Sequence, residues 1–483
     1  MRTTRRLLEA EARSSVAEPC PRDADAARRT RRPFVPRGPA LLALVTSLAT
    51  VVAVSTSCSS SDGDAREPHP RDADGSADAA PEADREDVID AGIADVVVKG
   101  SAPLPIECKE PPCAIALSTT TTTSSSPILN DEGYCALLHD GTVACWGANA
   151  EGQLGRPATS GYSPVPVRVS GLSKVTALDH TCAVDSDGSA FCWGRGPFLQ
   201  SEASTQTVEA TPVRLPLPGP ATKVAFSSSS YDGAGCAILR DRSVVCWGSN
   251  SYLQLGVGVS RSELNAQPQT IERAFGAKDI ALGVATFVLD DDGTLKSWGY
   301  NGSIGRPTAL NYSGVPAKVA LDHVSMIDTV TDQACAVANG IGWCWGGNDV
   351  DNAGSLARAL PIAVDTPEPI TRIATSQSVS VRENNVSYLD RRRWCATSVS
   401  GAVYCWGLNN AGQAGNGTKQ FALEPVQVVG LPAPAAEVKV MPYSTCAILT
   451  NGKVYCWGSN FYGQLGAGLP KKSVLTPVEV KLP

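Results

Sequence analysis

Histidine is scarce in this 483-residue chain, with only His69, His139, His180 and His323. A metal centre needs several converging ligands, so no metal site is expected. Long apolar runs are also missing. The stretch Ala40 to Val54 is 15 residues, short of the roughly 20 that cross a bilayer as a helix. There is no basic stripe either. The formal net charge is -7, and residues 100–483 hold 27 Lys/Arg against 31 Asp/Glu, a balance unsuited to nucleic acid. No serine motif of the G-x-S-x-G type occurs. Glycine (44), proline (34) and cysteine (16) are plentiful instead. Glycine and proline favour turn-rich β architecture, and so many cysteines are unusual in a reducing cytosol.

The first hundred residues read as address and spacer. Arg31, Arg32 and Arg37 precede the apolar stretch, and small residues lead through "VSTSC" to Cys58. That is the layout of a secretory signal. The ending resembles a bacterial lipoprotein box, with Ser55 where leucine is usual and Cys58 as the residue to be lipidated. Residues 1–57 are therefore read as leader and signal peptide, with translation expected to start near Val35. Residues 58–104 are read as the lipidated cysteine and an acidic linker. Ser59 to Lys99 holds twelve Asp/Glu and four Lys/Arg, too charged and too apolar-poor to offset the entropy of ordering. Cys108 and Cys113, in "ECKEPPC", are expected to bond locally, and the run Ser118 to Ser126 reads as a low-complexity loop.

From residue 130 one phrase recurs. It reads "CALLHDGTVACWG" from Cys135, and "CAVDSDGSAFCWG", "CAILRDRSVVCWG", "CAVANGIGWCWG", "CATSVSGAVYCWG" and "CAILTNGKVYCWG" later. Between the third and these last three stands "FVLDDDGTLKSWG" from Phe287. Trp146, Trp193, Trp247, Trp298, Trp345, Trp406 and Trp457 mark the register. Their gaps run from 47 to 61 residues, a period that signals a repeat array.

Each phrase reads as a β-hairpin whose first and last cysteines face each other. In the last copy Gly452 suits the left-handed end of a three-residue turn, and counting outward sets Cys446 opposite Cys456. In the fifth copy the turn is the two-residue Asn339-Gly340. The cysteine spacing shortens from ten to nine to match, and Cys335 still faces Cys344. In the fourth copy both cysteines are replaced together, by Phe287 and Ser297, as befits a bonded pair. The expected cross-strand disulfides are thus Cys135–Cys145, Cys182–Cys192, Cys236–Cys246, Cys335–Cys344, Cys395–Cys405 and Cys446–Cys456. Each is worth at most roughly 3 kcal/mol.

After the hairpin comes a Gly-rich stretch such as "GSNFYGQLG", then a proline-bearing strand, then a short strand leading to the next cysteine. The pattern C-A-L-x-x-D-G-x-V-Y-C-W-G followed by x-N-x-x-G-Q-L-G resembles the regulator-of-chromosome-condensation repeat. The resemblance implies an all-β, seven-bladed β-propeller over residues 105–483, with about four short strands per blade. Blade two departs from the pattern with "GRGPFLQS". The first unit has no proline strand ahead of it and the chain ends in one, "TPVEVKLP", so the C-terminal strand is expected to complete the first blade and close the ring. A kelch propeller is the alternative, but its Gly-Gly doublets are not seen repeatedly.

Fold alone does not give function. Eukaryotic relatives include a nucleotide-exchange factor that binds chromatin, an activity not carried over here. Secreted bacterial relatives bind proteins through the propeller face. The expectation is a monomeric lipoprotein of the bacterial cell envelope, or a secreted protein, touching the membrane only through its lipid. Its partner would be an unidentified protein or glycan, with no cofactor and no nucleic acid. The segment "RENNVSYLDRRRW", assigned to blade five, supplies the candidate contacts Arg391, Arg392, Arg393 and Trp394. A lyase or hydrolase, or a purely structural surface protein, are the alternatives. Against catalysis, Asp140, Asp187 and Asp292 occupy equivalent turns and His180 a repeat position.

Overall fold

Every Cys-to-Cys hairpin forms the second and third strands of a four-stranded antiparallel sheet, and seven such sheets are formed. The computed structural model describes residues 102–120, 131–157, 161–199, 207–227, 233–257, 264–347, 359–377, 379–383, 386–390 and 392–483. All of them lie in one compact unit, Val88–Pro483. A single 3-10 turn, Glu272–Ala274, is the one helical element among them.

The first strands are Ala114–Thr120, Val175–Asp179, Ala221–Phe226, Ala277–Leu282, Val324–Val330, Ile370–Thr375 and Ala435–Val440. Each packs against the first strand of the next blade, and that of blade 7 packs against that of blade 1. The fourth strands form the outer edge. They are Tyr162–Arg168, Thr207–Arg214, Leu264–Thr270, Tyr312–Lys318, Ile362–Val364, Ala422–Gln427 and Val474–Glu479. Six of these contain proline, and Pro361 immediately precedes the other. Proline lacks a backbone donor, so each open edge is a poor template for strand addition.

The repeat phrase explains how blades join. The indole N–H of Trp146 donates to the Gln464 carbonyl at 2.9 Å, that of Trp193 to Gln153, and those of Trp298 and Trp457 to Gln254 and Gln413. In every case the acceptor lies in the Gly-rich loop of the preceding blade. The loop fixes itself: Asn460 accepts from the Leu465 N–H, and Gln464 accepts from the Tyr462 N–H. Blade 2, without G-Q-L-G, offers the Pro197 carbonyl to Trp247 at 2.5 Å. Five of these seven tryptophans are among the largest fully buried side chains. The glycine after each tryptophan is required. Gly458 has φ +100, and a Cβ there would lie 2.4 Å from the Tyr443 carbonyl oxygen.

The ring closes differently from the sequence expectation. Strand Val474–Glu479 pairs with Val454–Gly458 of its own blade, Cys456 facing Val478. Blade 1 has its own fourth strand, Tyr162–Arg168, paired with Val143–Ala148. Its first strand is Ala114–Thr120, part of which reads in sequence as a low-complexity loop, yet Ser118 and Thr120 are buried. Each blade is one contiguous stretch of chain, and side chains close the ring. Trp146, Tyr134 and Leu117 of blade 1 share a core with Ile448, Leu465 and Val480 of blade 7. Glu132, 1% exposed, accepts from the Tyr443 N–H at 2.6 Å, the Ser444 hydroxyl at 2.6 Å and the Gln464 side chain at 3.3 Å.

Candidate functional site: channel and loop face

The antiparallel order gives the ring two unlike faces. First-to-second and third-to-fourth strand connections leave from one, the loop face. Hairpin turns and blade-to-blade links occupy the other, the turn face. The N-terminal strap 102–113 lies on the turn face. Its Glu107 N–H donates to the Thr450 carbonyl at 2.7 Å, and Cys113 accepts from the His139 N–H at 3.0 Å. Cys113 seats over Gly452, where a Cβ would clash with it, and Ile106 packs into the core shared by blades 7 and 1. The strap is looped by Cys108–Cys113.

Six further disulfides join Cys135–Cys145, Cys182–Cys192, Cys236–Cys246, Cys335–Cys344, Cys395–Cys405 and Cys446–Cys456, each with Cα atoms 4.1 Å apart. Their residues are directly opposed across the hairpins, as are Phe287 and Ser297 in the fourth. Seven disulfides are the mark of an oxidising, extracytoplasmic compartment.

The first strands carry charge at two register positions. Opposite the first hairpin cysteine stand Asp179, Asp328 and Lys439. Two residues earlier stand Lys223, Asp279, Arg372 and Glu437. Strand side chains two apart share a face, so these groups gather around the ring centre. Lys223 pairs with Asp279 between blades 3 and 4, Lys439 with Glu437 at 3.5 Å, and His180 Nδ1 with Asp179 at 3.1 Å. Burial alone would push the Asp179 carboxyl up, but His180, then Lys223 and Lys439, hold it down to about 2. Burial pushes Asp328 up, against the pull of Lys439 and the Thr375 N–H. Both lysines are raised because neighbouring carboxylates outweigh the burial that opposes their charge.

His180 also has φ 48, and its carbonyl accepts from the Ser118 hydroxyl at 2.8 Å. A histidine–aspartate pair can move a proton, but here it has little room for a substrate. The cavity bounded by Asp179, His180, Asp328, Ser376 and Lys439 is about 40 Å³. One water needs roughly 10–15 Å³, and small-molecule sites run to about 300–1,000 Å³. The charges offset one another within and between blades, so the cluster holds first strands together. No group of three or more His, Cys, Asp or Glu is placed to hold a metal among the described residues. These positions escape a reading by motif, because only aligning the inner strands on the cysteine register brings them together.

The basic cluster chosen from sequence is not a surface patch. Arg391, like Cys58, lies outside the described residues. Arg393 is 1% exposed, in the second strand of blade 6 rather than in blade five. Its guanidinium donates to the carbonyls of Met441 (2.7 Å), Ser444 (2.8 Å) and Gln413 (2.6 Å) and to the Thr445 hydroxyl (2.5 Å). Burial pulls its pKa down to about 10, so it stays charged. Arg392 is buried and donates to the Gly346 carbonyl at 3.1 Å. Trp394 stacks on Trp406 with centroids 6.0 Å apart. These side chains join blades 5, 6 and 7. Ahead of them, Val379–Glu383 and Val386–Asp390 form an extra hairpin between the first two strands of blade 6.

Two separate stretches of the ring match models of a known repeat family. Residues 140–185 and 400–448 match the family model "Regulator of chromosome condensation (RCC1) repeat", and residues 178–200 and 442–464 match a second model of the same description. The matched stretches are similar to RCC1 repeats. The Arabidopsis thaliana ultraviolet-B receptor UVR8 is 27% identical over 360 residues, which are 72% of this chain and 68% of the receptor. The human E3 ubiquitin-protein ligase HERC2 is 26% identical over 322 residues, 61% of this chain but 6% of the ligase. Among solved structures, human WBSCR16 superimposes with a TM-score of 0.57 at 19% identity, covering 71% of this chain and 95% of its own. Prp20p from Saccharomyces cerevisiae gives 0.51 at 17%, covering 68% and 80%. These two superpositions show the propeller fold alone.

Proposed function

We propose that this chain is an extracytoplasmic binding module that recognises a partner protein through the loop face of its RCC1 propeller. The carrying observation is the position of the strap. Residues 102–113 run along the turn face and are bonded there, so they leave the loop face uncovered. A lipid on Cys58, followed by the acidic linker, would leave that face directed outward. Two further features support binding over catalysis. The channel cavity admits only waters, and the proline-bearing outer strands discourage strand addition, leaving side chains on loops and seams to make contacts. Prp20p is described by its binding to Gsp1p and histones, which sets a precedent for protein recognition by this fold without supplying this partner.

The test is site-specific photocrosslinking in the native host. A photoreactive residue at exposed Lys419, on a loop-face connection, is expected to trap a partner, whereas one at exposed Asp187, in a turn-face hairpin, is not. Equal trapping at both positions, or trapping only at Asp187, sinks the proposal. Labelled fatty acid incorporated by wild type and lost in Cys58→Ser would support the anchor separately.

A further inference from the structure

The seam between blades 7 and 1 brings together side chains that are far apart in sequence. Phe461 and Tyr462 lie in the Gly-rich loop of blade 7, rings edge to face with centroids 4.9 Å apart. Tyr162 opens the outer strand of blade 1. Lys471 bridges them, its ammonium 3.9 Å from the Tyr162 centroid and 5.3 Å from that of Phe461. Lys472 and Lys481 are exposed in adjoining segments of blade 7, and Lys481 reaches toward Gly468 of the same loop. Gly468 in turn donates its N–H to the Pro164 carbonyl of blade 1 at 2.9 Å, which fixes the two edges against each other. Phe461 is 53% exposed.

The charge of this seam is one-sided. None of Lys471, Lys472 and Lys481 forms an ion pair among the described residues, although most other ring lysines do. The neighbouring carboxylates are engaged elsewhere. Asp131, pushed up by burial, accepts from the Tyr462 hydroxyl, and Glu479 is taken by Lys453 and Tyr455. A chain of net negative charge therefore presents here three ammonium groups outside any ion pair among the described residues, around the exposed Phe461 ring and the partly buried Tyr162. Tyr162–Arg168 carries Pro164 and Pro166, so an incoming segment meets side chains and not a receptive strand edge.

We infer that this seam binds an Asp/Glu-rich peptide segment of the partner protein, with an apolar side chain of that segment against Phe461 and its carboxylates on Lys471, Lys472 and Lys481. The inference rests on reading the chain as a protein-binding module, and not on the lipid anchor. Aromatic rings give large contact area at low entropic cost, and exposed charges set encounter rate and selectivity.

The experiment uses the purified full chain and a fluorescein-labelled Asp/Glu-rich peptide bearing one phenylalanine, read by polarisation across a salt series. Wild type is expected to bind, more weakly as salt rises. Lys471→Glu with Lys472→Glu and Lys481→Glu should weaken binding roughly tenfold or more and flatten the salt dependence. Phe461→Ala should weaken binding while leaving the salt slope as it was. All these side chains are surface groups, so near-ultraviolet circular dichroism should match wild type. Absence of binding by wild type, or unchanged affinity in the folded charge-reversal variant, overturns the inference. So does binding of an anionic polysaccharide that charge reversal abolishes when the peptide does not bind, which would reassign the seam to glycans. Because the assay needs neither native partner nor anchor, its failure is separable from failure of the crosslinking experiment.

Discussion

Asp179 and Arg393 show how single charges are used at blade boundaries. Arg393 meets four acceptors from blades 6 and 7, so its charge is spent on buried oxygens at the junction of the two blades. Three adjacent arginines suggest an exposed hot spot, but strand alternation and the blade junction draw Arg393 inward. Asp179 is held low by His180 and channel lysines, which gives a pH signature. Its folded value of about 2 lies below the unfolded value of roughly 3.9, so its contribution is fully present above about pH 4 and is lost as pH falls toward 2. Asp179→Asn is expected to lower stability at neutral pH by on the order of 1–2 kcal/mol after allowing for solvent screening. Urea unfolding at several pH values should show the gap between variant and wild type closing below about pH 4. A gap that widens on acidification would contradict this account.

The hairpin and its following loop form the unit of this fold. Opposed cysteines clamp six of the seven hairpins, and where the next loop carries Asn and Gln their side chains hold its backbone where the neighbouring tryptophan can donate to it. The fourth hairpin lacks the clamp. Phe287 instead packs edge-on against Trp345, centroids 5.6 Å apart, and the Ser297 hydroxyl donates to the Ile304 carbonyl. The double substitution Phe287→Cys and Ser297→Cys should form a seventh hairpin disulfide, because the register is that of the others. The thermal midpoint should nevertheless not rise. Removing a buried phenylalanine costs about 3–5 kcal/mol, and a short-loop disulfide returns at most about 3 kcal/mol. Thiol titration checks the first statement and calorimetry the second. Free thiols persisting in oxidising buffer would mean that the opposed register does not suffice.

At the scale of the molecule, the seam between blades 7 and 1 is what makes an open row of blades a ring. No strand is shared across it, so the Glu132 hydrogen bonds and the Trp146 indole carry a role that a shared strand would otherwise fill. Glu132→Ala removes an acceptor of the Tyr443 N–H and the Gln464 amide, leaves the Ser444 hydroxyl only the Tyr134 hydroxyl, and should cost about 2–3 kcal/mol. Hydrogen exchange should accelerate first in the hairpins of blades 1 and 7, with blades 3 and 4 still protected. Uniform acceleration around the ring would show that the seam is no weaker than any other blade junction.

Blade number, the hairpins and the cysteine partners were legible in the sequence because they depend on spacing within a dozen residues and on a phrase repeated seven times. The same local reasoning misplaced the C-terminal strand, because Ala114–Thr120 carries no repeat signature and its Ser/Thr composition looks like a loop. It also misjudged Arg393, whose surroundings come from another blade. The charged channel, the buried Glu132 and the aromatic–lysine seam were decided only by the tertiary structure. Each joins residues separated by tens to hundreds of positions, and whether a charge is spent inside or offered to a partner depends on which blade lies next to it.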